Sequence, residues 1–257
     1  MPKNLDAKSE IIKRFMSNVK GESIDVSGSN IRHDGKEGHW LERKMGIKAN
    51  NKSASDLLGY EMKKDAAKIT FGDWSANYYL FKDSDSIDRE TFLKIFGKKS
   101  HEGERWSWSG IPVPKINKWN SFGQRLSVTK DKSIIAEYFF EMDERSEKKK
   151  IIPIEMQRKL ITLAKWDSES LKKRMNSKFG DKGWFICMKD QNGIYDRIGF
   201  GDPISFDSWI ALVKLGKVYF DSGMYHDSVK PNNRPYSQWR ANGDVWHSLI
   251  TEVFRNR

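Results

Sequence analysis

The chain has one cysteine, Cys187, in 257 residues. No intramolecular disulfide can form, so the fold must stand on its core, and a reducing cytoplasm is the expected setting. Nowhere does a run approach the ~18 consecutive apolar residues that cross a bilayer. The first residues, Met1-Pro2-Lys3-Asn4-Leu5-Asp6, lack the apolar stretch of a secretory leader, and a membrane is not expected as a partner. Also missing are a glycine-rich phosphate loop ending in Lys-Ser/Thr, a Cys-x-x-Cys pair and a His-Glu-x-x-His helix. The histidines His33, His39, His101, His226 and His247 show no paired metal-ligand spacing. Gly199-Phe200-Gly201-Asp202-Pro203 is half a dinucleotide fingerprint, and Pro203 argues for a turn instead.

Acidic residues are outnumbered. There are 46 Lys and Arg against 35 Asp and Glu, a net charge of +11, and such a field draws in polyanions, nucleic acid first among them. A mean hydropathy of −0.73 looks poor for a large core. Ten Trp, fourteen Phe and eight Tyr compensate, since each aromatic can bury ~150–250 Å². The length suits one substantial domain or two lobes.

Apolar spacing predicts helices over 7–19, 37–46, 88–96, 153–164, 168–179, 205–215 and 244–254. Strand patterns fall at 56–63 and 68–74, read together as a hairpin, and at 134–140, 184–189 and 217–224. Residues 100–130 read as irregular, and the charged run 143–150 as a turn or lobe boundary. The class is mixed α/β, a central sheet flanked by helices. Cys187, within Gly183-Trp184-Phe185-Ile186-Cys187-Met188, reads as a core residue rather than a nucleophile.

The segment with chemistry in it is Asp56-Leu57-Leu58-Gly59-Tyr60-Glu61-Met62-Lys63. Glu61 and Lys63 differ by two, so on a strand they share a face. A turn can swing Asp56 beside Glu61. Two carboxylates and an ammonium at one point suit phosphodiester hydrolysis, because hard oxygens hold Mg²⁺ and Lys63 can stabilise developing negative charge. In a chain that is 32% charged, the same pattern also fits a solvated strand.

The residues upstream add the missing context. Gly38-His39-Trp40-Leu41-Glu42-Arg43-Lys44-Met45-Gly46, then Asn50-Asn51, then Asp56-Leu57 and Glu61-Met62-Lys63 resemble the MutH-like branch of the PD-(D/E)XK nucleases. Within that branch the likeness is to the monomeric type II restriction endonucleases of the BcnI and MvaI kind. The strong match covers residues 38 to 63, and the interval of five from Asp56 to Glu61 is part of it. The resemblance implies a restriction-endonuclease-like mixed sheet in two lobes around DNA. Residues 1–145 would be the catalytic lobe and 146–257 the recognition lobe. It makes Asp56 and Glu61 the Mg²⁺ ligands, Lys63 the catalytic lysine, and Glu42 a carboxylate that completes the site through water. The alternative for Glu42 is a helix-surface ion pair with Arg43 or Lys44. Lys82, at the end of Tyr78-Tyr79-Leu80-Phe81-Lys82, resembles a position that contacts the scissile phosphate, and is otherwise a solvated lysine.

A weaker likeness spans Val218–Met224 and then Tyr225 to Arg240. It implies strands and a loop that enter the major groove. Arg234 and Arg240 are the expected base readers, since the guanidinium fork matches guanine O6 and N7; phosphate clamping is the alternative. Lys230, Asn233, Tyr236 and Gln238 are the other expected DNA contacts. His226 reads as a surface or DNA-backbone residue. Asn232-Asn233-Arg234-Pro235 departs from the His-Asp-x-Gly-like stretch of the family. The implied activity is Mg²⁺-dependent, sequence-specific cutting of double-stranded DNA by a monomer at a short CC/GG-type site, with GATC-like sites the alternative. A cognate DNA methyltransferase is implied beside it, though not as a physical partner. A MutH-like strand-nicking mismatch-repair endonuclease and a non-catalytic basic DNA-binding module are the competing readings.

Overall fold

The computed structural model describes residues 6–24, 36–47, 55–83, 87–100, 105–227 and 237–255. They fall into two compact units that interleave along the chain. One holds residues 1–69, 174–206 and 242–257, and the other 70–173 and 207–241. The expected single division at 145 is therefore not where the compact units separate. Asp56, Glu61 and Lys63 belong to the first unit, and the candidate base reader Arg240 to the second.

The first unit is built on a four-stranded mixed sheet in the order Glu61–Lys64, Trp184–Lys189, Tyr195–Gly201, Glu252–Phe254. Glu61–Lys64 runs parallel to Trp184–Lys189, and the remaining pairs are antiparallel. Trp184–Lys189 is buried on both faces except at Lys189, as a strand covered on both sides should be. On one face, Met62, Phe185, Cys187, Ile198 and Phe200 pack with Ile11, Phe15 and Val19 and with Trp40, Leu41 and Met45. Those partners come from the helices Ala7–Asn18 and Lys36–Lys44 and the residues just after them. Period-two alternation sends Glu61 and Lys63 to the opposite face. Cys187 is fully buried, and burial pushes its thiol well above the ordinary range, in keeping with a core residue.

The second unit carries three sheets. One orders Tyr78–Tyr79, Ile161–Trp166, Ile134–Asp143 and Phe122–Val128. Another orders Val218–Ser222, Ser237–Asn242 and Lys68–Asp73, and the third Met224–His226, Trp106–Trp108 and Lys98–Lys99. Its core is aromatic. Trp166 meets Phe220 and Trp239 edge-on at 4.9 and 5.4 Å, and Trp209 meets Trp74 and Trp239 at 5.5 and 5.4 Å. Among the described residues, no helix is long and apolar enough to cross a membrane.

Several expectations change. The hairpin of 56–63 with 68–74 does not form, because Glu61–Lys64 takes Trp184–Lys189 as its partner and Lys68–Asp73 joins a different sheet. Alternation fixes which face a residue takes, not which strand it pairs with. The helix expected at 153–164 is a single turn, Ile154–Met156, followed by the strand Ile161–Trp166, in which Ile161, Leu163 and Trp166 are buried. The last helix ends at Ser248, and Glu252–Phe254 pairs with Tyr195–Gly201. Residues 100–130 are not wholly irregular, since Trp106–Trp108 and Phe122–Val128 are strands. Tyr195–Gly201 was hidden by its glycines, which ordinarily weaken a strand. Here a Cβ on Gly201 would collide with the Trp184 indole, so the residue that obscures the strand is the one that lets Trp184 pack.

Candidate active site

Three chain segments of the first unit build the site. The first is a tight reversal at residues 57–60, where Leu57 and Tyr60 exchange both backbone hydrogen bonds at 2.9 Å. Its central residues, Leu58 and Gly59, both have positive φ, 52° and 90°, the signature of a type I′ turn. This reversal separates Asp56 from Glu61 while keeping them adjacent in space. The second is the strand Glu61–Lys64, anchored at its first residue by Glu61 N–H donating to Gly183 O at 3.0 Å. Gly183 has φ 101°, and a Cβ there would run into the Gly201 carbonyl oxygen, so the approach that starts the parallel pairing requires glycine. The third is the C-terminal end of the helix Ser168–Phe179.

Glu61 is 2% exposed and Lys63 6%. Lys63 Nζ donates to Glu61 Oε1 at 2.9 Å, and Lys178 Nζ donates to the same oxygen at 2.8 Å. Glu61 Oε2 is buried with no hydrogen-bond partner among the described residues. The Met62 backbone N–H donates to Asp56 Oδ2 at 3.0 Å, tying the second carboxylate to this strand. Lys63 Nζ also lies 5.0 Å from the Phe179 ring centre and 5.5 Å from that of Trp246, close enough for both rings to favour the cation.

Burial and then the neighbouring Glu61 push the Asp56 carboxyl up to about 6. Burial also pushes Glu61 up, but Lys63 and Lys178 outweigh it and hold the carboxyl below the usual range. Burial lowers the Lys63 ammonium, against the pull of Glu61. The site is thus short of positive charge at Asp56, and the buried Glu61 Oε2 is not hydrogen-bonded by any described protein group. A hard divalent cation fits that deficit. Mg²⁺ needs only one or two protein carboxylates when a phosphate and waters supply the other oxygens, and Asp56 with Glu61 Oε2 is such a pair. Among the described residues no three His, Cys, Asp or Glu side chains gather into a fuller metal cage.

The structure brings Asp56, Glu61 and Lys63 together and leaves Glu42 apart from them. Glu42 sits on the helix Lys36–Lys44, whose Trp40 and Leu41 pack into the core on the other face of the sheet. Its carboxylate pairs with His39 Nδ1 at 3.1 Å, not with Arg43 or Lys44. Lys178 was missed, because it lies 117 positions from Glu61 on a different element and nothing in its local sequence sets it apart from its charged neighbours.

In the second unit, Lys82 lies exposed on the helical turn Leu80–Asp83, its Nζ 5.4 Å from the Tyr79 ring centre. His226 pairs with Glu90 at 3.3 Å. Arg240 and Gln238 share one face of the strand Ser237–Asn242, with Tyr219 opposite Arg240 and Asp221 opposite Gln238. Arg240 Nη1 is 3.2 Å from Asp221 Oδ2, and its Nη2 donates to Gln238 Oε1. Asp221 is a second residue that sequence reasoning missed, although its alternation with Tyr219 places it on this face. Lys230, Asn233, Arg234 and Tyr236 lie outside the described residues.

The chain matches the LlaMI restriction endonuclease family over residues 19–254. It is 46% identical over 268 residues to the type II restriction enzyme ScrFI of Lactococcus lactis subsp. cremoris, an alignment that covers 95% of this chain and 97% of that one. Its fold is similar to that of restriction endonuclease MvaI, solved as a complex with cognate DNA substrate. That likeness has a TM-score of 0.61 at 17% identity and covers 99% of both chains. The mixed α/β architecture expected from sequence is therefore that of a restriction endonuclease. The chain belongs to the LlaMI restriction endonuclease family. Its activity class is that of a type II restriction endonuclease.

Proposed function

We propose that this chain hydrolyses phosphodiester bonds in double-stranded DNA with Mg²⁺ held between Asp56 and Glu61, at a short CC/GG-type site, acting as a monomer in the cytoplasm. The observation that carries the reading is the buried, unpartnered Oε2 of Glu61 beside Asp56, with Lys63 fixed on the other oxygen. When bound, Mg²⁺ would supply charge at a phosphate oxygen and acidify a water. The side chains do the rest. Asp56 and Glu61 orient the cation. Lys63, held by Glu61 and two aromatic rings, faces the negative charge that builds on the phosphate as the attacking oxygen arrives. Glu42 serves the site at most through water, from the helix that carries it.

Arg240 and Gln238, with Lys230, Asn233, Arg234 and Tyr236 from the neighbouring segment, are the residues proposed to meet DNA. Lys82 is proposed at the scissile phosphate. The net charge of +11 supports a polyanionic substrate, and MvaI, which shares the fold, is described in complex with cognate DNA. A methyltransferase that protects the same site belongs to this reading.

Incubating purified protein with supercoiled plasmid, in Mg²⁺ and separately in EDTA, tests it. Discrete linear fragments in Mg²⁺ and intact plasmid in EDTA are expected. Nicked circles alone would make the enzyme a strand-nicking one, GATC-type fragment ends would replace the CC/GG assignment, and cutting in EDTA would remove the metal from the reaction.

A further inference from the structure

Glu61 presents a problem that Lys63 alone does not solve. Its side chain is 3% exposed, so in the absence of a metal its charge must be compensated by protein groups rather than water. Two ammonium groups do this on one oxygen, Oε1, and leave Oε2 bare. They are not equivalent. Lys63 comes from the same strand, is 7% exposed at its side chain and lies against Phe179 and Trp246. Lys178 reaches in from the end of a helix and is 20% exposed. The carbonyl end of a helix favours a cation there, so Lys178 can hold this position whether or not another cation arrives at Oε2.

We propose that Lys178 is a place-holding cation of the cleavage site. It compensates Glu61 while no metal is bound, and it opposes the metal electrostatically once one enters at Oε2. This inference rests on the metal assignment made above. It makes Lys178 a positioning residue with an unusual signature: its removal should weaken the metal-free protein and strengthen metal binding. Coulomb repulsion between an ammonium and a divalent ion bound to opposite oxygens of one carboxylate is felt even through a high effective dielectric constant. A residue that merely helps the helix pack would weaken both states together.

The test uses the full chain and four variants, Lys178→Ala, Lys178→Gln, Lys178→Arg and Glu61→Ala. Thermal melts are recorded in EDTA and in saturating Ca²⁺, and Ca²⁺ binding is titrated by calorimetry. Lys178→Ala should melt below wild type in EDTA, bind Ca²⁺ at least about threefold more tightly, and gain more melting temperature from Ca²⁺ than wild type does. Lys178→Gln, which keeps most of the side chain, should do the same if the alanine variant does not fold. Lys178→Arg should follow wild type. Ca²⁺ binding equal to or weaker than wild type in the neutral variants, or an unchanged melting temperature in EDTA, overturns the proposal alone. If wild type gains no Ca²⁺-dependent stability that Glu61→Ala removes, the metal assignment fails, and this inference with it.

Discussion

The backbone amide of Met62 donates to Asp56 Oδ2 at 3.0 Å, so the carboxylate on the turn is fastened to the strand whose first residue is Glu61. That bond lowers the Asp56 carboxyl, but burial and Glu61 raise it more, to about 6. A carboxyl raised above its unfolded value of 3.8 binds its proton more tightly in the folded state. Its contribution to stability therefore falls as pH rises from about 4 to about 6, and is lowest above that range.

Asp56→Asn keeps an acceptor for the Met62 amide and removes the charge. In EDTA it should melt above wild type at pH 8, with the gap closing as pH falls towards 4. An asparagine variant less stable than wild type at pH 8 would show that Asp56 is not strained by its charge. In the wild type, the Mg²⁺ concentration needed for half-maximal cleavage should rise as pH drops through 6, since protons and cation compete for the same carboxylate.

Lys63 is proposed as the electrostatic stabiliser of the cleavage site. Lys63→Ala should cut at least about a hundredfold more slowly, as one such group contributes ~2.7–4 kcal/mol. Raising Mg²⁺ should not restore the rate. Rescue at high metal in a single-turnover assay would show that the lysine only arranges the ligands.

Gly183 is where chain geometry and chemistry meet. With φ 101° and no room for a Cβ against Gly201, Gly183→Ala should cost about 1–3 kcal/mol, lower the melting temperature by several degrees and displace Glu61, which bonds to its carbonyl. Gly38→Ala, in the helix Lys36–Lys44 with nothing near its Cβ position, should be neutral or slightly stabilising. Equal melting temperatures for the two variants would refute the role given to Gly183.

Arg240 is held by Asp221 and Gln238 on a half-buried sheet face and is proposed as a base reader. Arg240→Ala should lose ~1–3 kcal/mol against the cognate site with little change on random DNA. Arg234→Ala is expected to behave alike. Binding titrations across a salt series in Ca²⁺ check both. Parallel losses on the two duplexes, with a salt slope lower by about one, would mean that these arginines grip phosphates.

The site was legible in part for a physical reason. Asp56, Glu61 and Lys63 lie within one turn and one strand, so spacing alone brings them together. Cys187 was legible as core because its neighbours form an unbroken apolar run. Lys178 and the parallel partner of Glu61–Lys64 were not, since both depend on contacts across more than a hundred positions, which no local period records. Tyr195–Gly201 was lost because a glycine needed for close packing looks, in sequence, like a strand breaker. The interleaved units escaped for the same reason as the parallel pairing.

Cleavage by Glu61→Ala is the most direct test of the whole account. Plasmid digestion in Mg²⁺ and DNA binding in EDTA should be measured side by side for wild type, Glu61→Ala and Asp56→Ala. Removing a carboxylate takes away a Mg²⁺ ligand and also relieves repulsion with DNA phosphates. Both variants should therefore leave the plasmid uncut while binding DNA as tightly as wild type or more so. Cutting at near wild-type rates by either one would contradict the assignment of Asp56 and Glu61 as the metal-holding pair.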